Sequence, residues 1–154
     1  MGVSAMNDAF PFSEAEWSEV WALSNRIGNA TLADEDVVRA SLMLDFQELL
    51  NNLRERYGNH PVLTETEADF TADANEQIEL YQQAIREAEQ LRLTTCSIRI
   101  YYARVLCEDL NQPEQALNLL AECELEAFDD SERRQFAELQ DVCNQRLSSL
   151  RPKN

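Results

Sequence analysis

Apolar side chains along this chain recur every three or four residues and show no sustained alternation with polar ones. This is the pattern of amphipathic helices that each bury one stripe. Trp17, Val20, Trp21, Ser24 and Ile27 mark one face of the first such segment. Ser13 and Glu16 stand at its start with the spacing of a capping box, in which two free N–H groups are satisfied reciprocally. Gly28 and Asn29 supply a left-handed stop, so the spacing predicts a helix over 14–27. Asp34, Glu35 and Asp36 then place negative charge beside the positive end of a second helix, 33–57. Its stripe is Val38, Leu42, Phe46, Leu49, Leu53 and Tyr57. Gly58 and the run Asn59, His60, Pro61 break it, because the residue before a proline is pushed out of the α region.

Residues 61–73, PVLTETEADFTAD, hold few apolar side chains and three capping threonines, and read as a loop with at most a short helical turn. A third helix follows over 74–92, with Ile78, Tyr81, Ile85 and Ala88 on one stripe. Thr94 or Thr95 caps a fourth, which carries Ile98, Tyr102, Val105, Leu106 and Leu110 and stops at Asn111 and Gln112. Pro113 sits in the first turn of the fifth, where its missing N–H costs nothing. That helix presents Ala116, Leu120, Cys123 and Ala127. Asp129, Asp130 and Ser131 start the sixth, striped by Phe136, Leu139, Cys143, Leu147 and Leu150. The expected fold class is therefore all-α. About six antiparallel helices make one domain over 1–154, with an N-terminal helical hairpin in 1–60 and further hairpins in 74–150.

Two segments carry a more specific pattern. In Ile78 to Ala88, the large Tyr81 is followed three places on by the small Ala84. In Leu110 to Leu120, Pro113 and Ala116 hold the turn and the small position, with Cys123 three beyond Leu120. Residues 75–150 thus resemble the helical hairpins of tetratricopeptide repeats, although Ala84 and Cys123 stand 39 residues apart where the standard unit is about 34. The resemblance implies a short array of hairpins with an N-terminal helical extension, and a groove that takes a peptide or helix of another protein. In that family the first helix of each hairpin lines the groove. This implies Arg99, Tyr101 and Arg104 as partner contacts for a carboxylate, while Tyr102 belongs to the core stripe. The alternative is that both arginines pair with Glu108 or other local carboxylates. The family's lysine- and asparagine-based clamp for a C-terminal carboxylate is not reproduced.

Charge narrows the partner. Twenty-nine acidic against 13 basic residues give a net charge of −16, which repels phosphate backbones and anionic membranes. No apolar run reaches the length of a membrane span and no signal peptide is legible, so the expectation is a cytoplasmic protein that binds neither nucleic acid nor membrane. Three glycines leave no phosphate-cradling loop. His60, the sole histidine, reads as a solvated turn residue with no nucleophile placed beside it. Cys96, Cys107, Cys123 and Cys143 lack metal-ligand spacing and read as free, mostly buried thiols. Neither a catalytic residue, a cofactor nor a metal is expected. Two acidic clusters, Glu65, Glu67, Asp69, Asp73 and Glu122, Glu124, Glu126, Asp129, Asp130, read as solvated caps or as a meeting place for a basic partner. Trp17 and Trp21 read as core, the alternative being an exposed stripe for a partner or a second copy of the chain. The functional expectation is a non-enzymatic adaptor. The alternative is an acidic inhibitor or decoy that masks a basic nucleic-acid-binding protein.

Overall fold

The structure, a computed structural model, describes residues 9–123 and 129–150. Seven α-helices and no strand occur among them: α1 (Glu14–Leu32), α2 (Asp36–Tyr57), α3 (Pro61–Asp69), α4 (Ala74–Gln90), α5 (Cys96–Arg104), α6 (Pro113–Ala121) and α7 (Asp130–Leu150). A single π-helical turn, Val105–Asp109, continues α5. The chain divides into two compact units, Met1–Leu63 and Thr64–Asn154.

In the first unit α1 and α2 pack as a hairpin. Val20, Ile27 and Ala30 from α1 and Leu42, Phe46, Leu50 and Leu53 from α2 are its buried side chains. The capping box forms: Ser13 N donates to Glu16 Oε1 at 2.8 Å and Glu16 N donates to Ser13 Oγ at 3.1 Å. The expected stop at Gly28 does not. The helix runs through it and keeps Ala30 buried on the seam, a gain of the same order as the roughly 0.5–1 kcal/mol that a glycine costs inside a helix. The stop falls at Asp34, which adopts φ 55° while Glu35 N donates to Ala30 O at 2.9 Å and Asp34 N to Thr31 O at 3.2 Å. These two bonds are a Schellman closure. Consequently α2 opens at Asp36 and not at 33.

His60 corrects a second expectation. It is buried, at 4% exposure, with its ring 5.4 Å from that of Phe12. Phe12 also packs on Phe10, Trp17 and Tyr57. The imidazole Nδ1 accepts the Val62 N–H at 3.2 Å, so it caps the start of α3. Of the two tryptophans, Trp17 joins this aromatic cluster, whereas Trp21 is 64% exposed.

The segment read as a loop holds the nine-residue helix α3. Pro61 is preset for a first helical position, and Leu63, Thr64 and Ala68 are fully buried. The polar member of that stripe hid it, since Thr64 Oγ1 donates to buried Glu87 Oε1 at 2.5 Å and so tolerates the interior.

Within the second unit α4 packs on α5, α5 on α6 and α7, and α6 on α7. Asp73, and none of the threonines, caps α4 by accepting from Glu76 N at 2.9 Å. Tyr81, Ala84, Ile85, Ala88, Ile98 and Val105 form one buried cluster with Ala68. Cys96, Ile100, Leu106, Ala116, Leu120, Leu139 and Cys143 lie in another. All four cysteines are buried thiols outside any disulfide, as expected. The expected extension of the fifth helix to Ala127 lies outside the described residues.

Candidate functional site

Helix spacing builds an acidic cavity in the second unit. Glu65 and Asp69 are four apart on α3, and Ser97, Ile100 and Tyr101 share one face of α5. The start of α7 completes the wall with Asp129, Ser131, Glu132 and Gln135. That start is fixed by Asp129, whose Oδ1 accepts from Glu132 N at 2.7 Å. The cavity measures about 390 Å³, and none of its described lining residues is basic.

Glu65 and Asp69 are held by neutral hydroxyls. Ser97 Oγ donates to Glu65 Oε1 at 3.4 Å, and Tyr81 OH donates to Asp69 Oδ1 at 2.6 Å. Burial is the main cause that pushes Glu65 up to about 7, with the charges of Asp69 and Glu132 adding to it and the Ser97 hydrogen bond opposing. Burial also raises Asp69, against the Tyr81 hydrogen bond. Tyr101 is raised by burial and then by the charges of Asp69 and Glu65. Burial thus opposes negative charge at all three groups, and a cation beside them would favour it.

The three residues implied as partner contacts are placed differently from one another. Arg99 is only 11% exposed at its side chain, pairs with Glu122, lies 3.6 Å from Glu89 and donates from Nε to Thr95 Oγ1 at 2.9 Å. Its guanidinium is occupied within the chain. Tyr101 lines the acidic cavity. Arg104 lies over the Tyr101 ring, 5.5 Å from its centroid. Tyr102 reaches Gln82 through its hydroxyl and stacks at 6.3 Å on Tyr81.

No family model, curated protein or solved structure matches the chain. The site therefore stands on its own chemistry. No group of three or more histidine, cysteine or acidic side chains suited to a metal ion occurs among the described residues. No described helix is long and apolar enough to cross a membrane.

The two acidic clusters were visible in the sequence, but not that one member of the second would meet two of the first. Glu65 and Asp69 join Asp129 around one cavity, whereas Asp73 caps a helix. Glu124 and Glu126 lie outside the described residues. The four-residue spacing of Glu65 and Asp69 was the available signal, and it was lost once the segment was read as a loop. A second concavity, about 700 Å³, lies in the first unit against Phe10, Phe12, Trp17 and the exposed Trp21.

Proposed function

We propose that this chain is a non-enzymatic, tetratricopeptide-like interaction module that takes a basic segment of another protein into the cavity between α3, α5 and α7. The observation that carries the reading is the pairing of Glu65 and Asp69 in a cavity whose described lining is without a cation. An arginine or lysine side chain entering there gains charge-assisted hydrogen bonds from carboxylates whose described partners are hydroxyls. The repeat-like part of the proposal is supported by Ala84 and Ala116, both at 0% exposure, and by buried Tyr81 and Leu120. These are the small and large positions that such hairpins use for packing.

The ligand's sign differs from the one first expected. Arg99 is engaged by Glu89 and Glu122, and Tyr101 faces carboxylates, so the groove favours a cation over an anion. A net charge of −16 steers such a partner toward the surface. Masking of a basic nucleic-acid-binding surface uses the same chemistry over a larger area.

The test is a titration with a short arginine-containing peptide, alongside a control in which glutamine replaces arginine. The expected result is binding that weakens with salt, is absent for the control, and falls at least about tenfold in the Glu65→Gln/Asp69→Asn variant. Equal binding of both peptides, or unchanged binding by the double variant, would overturn the reading.

A further inference from the structure

Helix α1 has a second face. Glu14, Ser18, Trp21 and Asn25 follow one another at steps of four, three and four, which sets them on the side away from the seam residues Val20, Ile27 and Ala30. All four line the concavity of about 700 Å³ in the first unit, together with Trp17 and with Phe10 and Phe12 from the segment before the helix. The Phe12 and Trp17 rings stack at 5.3 Å with their planes 24° apart. The Phe10 ring stands nearly at right angles to both, 5.3 Å from Phe12 and 5.0 Å from Trp17. Rings set at right angles make a corner, and Trp21 adds a fourth aromatic one turn along the helix. Phe12 is buried and anchors the corner on Tyr57 and His60, whereas Phe10 is 42% and Trp21 64% exposed.

The chemistry of this lining selects one kind of ligand. Its large apolar side chains are all aromatic, Ala22 being the one aliphatic among the described lining residues. Aromatic faces carry the negative part of the ring quadrupole, and indole is the strongest of them toward a cation. Glu14 adds a carboxylate, and no lysine or arginine lines the concavity among the described residues. A neutral apolar ligand gains nothing from Glu14, and an anion is repelled by it. A primary ammonium must give up water that ring faces replace poorly, because it carries three N–H donors. A quaternary ammonium has no N–H to satisfy and spreads its charge over methyl groups that fit against rings. An attached phosphate or carboxylate would find no cation to meet it, while a hydroxyl would find Ser18 and Asn25.

We infer that this concavity is a binding site for a small quaternary ammonium compound of the choline class, one that carries no anionic group. Its volume lies in the range of small-molecule sites. The site shares no residue with the acidic cavity of the second unit and stands whether or not that cavity takes a basic segment.

The test titrates the full-length chain with choline, with its uncharged carbon isostere, in which a tert-butyl group replaces the trimethylammonium, and with phosphocholine. The readout is tryptophan fluorescence, since both tryptophans of the chain line the site. The expected result is a saturable change with choline at low-millimolar concentration or below, at an affinity at least about tenfold above that of either comparison compound. Trp21→Leu keeps an apolar wall without the π face and should lower choline affinity about tenfold, read on Trp17, with Trp21→Phe recovering part of the loss. Glu14→Gln should weaken choline about threefold at low salt and less at high salt. Equal binding of choline and the uncharged isostere would overturn the inference and leave a plain apolar groove. Phosphocholine binding as tightly as choline, no saturable response to choline, or a Trp21→Leu chain that binds choline like the wild type would each overturn it too. The three compounds on the wild-type chain decide the matter even where a variant fails to fold.

Discussion

Glu65→Gln isolates the carboxylate whose environment defines the cavity. The side chain keeps its length and its acceptor for Ser97, so the change removes charge and little else. In the native chain Glu65 is pushed from 4.5 up to about 7, chiefly by burial. A carboxyl raised above its unfolded value gives stability that is fully present below about 4.5 and is lost as pH rises through about 7. The shift corresponds to at most about 3.5 kcal/mol at roughly 1.4 kcal/mol per unit, and to about 2 kcal/mol once partial exposure and solvent screening are allowed for. Asp69 is raised by the same cause and adds in the same direction. The variant should therefore match the wild type near pH 4.5 and exceed it by about 2 kcal/mol near pH 8. Urea unfolding followed by far-UV circular dichroism across that range measures the difference. Tryptophan fluorescence serves as an internal control, since Trp17 and Trp21 both belong to the first unit. A variant less stable than wild type near pH 8, or a wild type whose second unit is insensitive to pH, would refute the reasoning. A stabilised variant also makes the binding test cleaner, because lost affinity then cannot be blamed on unfolding.

Other substitutions probe the scaffold. Leu120→Ala removes a fully buried side chain and should cost about 2–5 kcal/mol in thermal or urea unfolding. Arg92→Gly should stabilise by up to about 1 kcal/mol. Arg92 holds φ 58° in the closure of α4, where Leu93 N donates to Ala88 O at 2.8 Å and glycine carries no Cβ penalty. Ser13→Ala should lower the stability of the first unit by about 1 kcal/mol, read by tryptophan fluorescence, through loss of the cap on α1. Affinity for the arginine peptide should rise with pH, by up to about tenfold per unit below about pH 7, because Glu65 must release its proton to solvent when the cation binds. A calorimetric titration in two buffers of different ionisation enthalpy checks this through proton release.

Most of the helix inventory was legible because the apolar spacing is strong where each helix packs through one stripe, as in α2 and α4. Two of the misses share a physical cause, polar residues doing interior work, and a third concerns which residue took a left-handed position. Thr64 and Glu87 satisfy each other inside the second unit, so α3 lacked the apolar stripe that spacing detects. His60 was read as solvated because its sequence neighbours are turn formers, yet its ring completes the Phe12 cluster and its Nδ1 caps α3. The stop of α1 was placed at Gly28 because glycine is the usual C-terminal residue, whereas the left-handed position went to Asp34, whose side chain tolerates it. At the site, the identity of the acidic residues was visible. Their convergence was not, since it depends on α3 existing and on how α7 lies against α5. Tyr101 was picked out for the groove, but the sign of its surroundings could not be read from one helix alone.

The central claim is that the Glu65 and Asp69 cavity receives a cationic side chain. Its most direct test is an NMR titration of the isotope-labelled chain with the arginine peptide. The account predicts that the backbone amides of Glu65, Asp69, Ser97, Tyr101, Glu132 and Gln135 shift together along one saturable curve. Saturable shifts confined to the Phe10, Trp17 and Trp21 concavity, with those six amides unmoved, would contradict it.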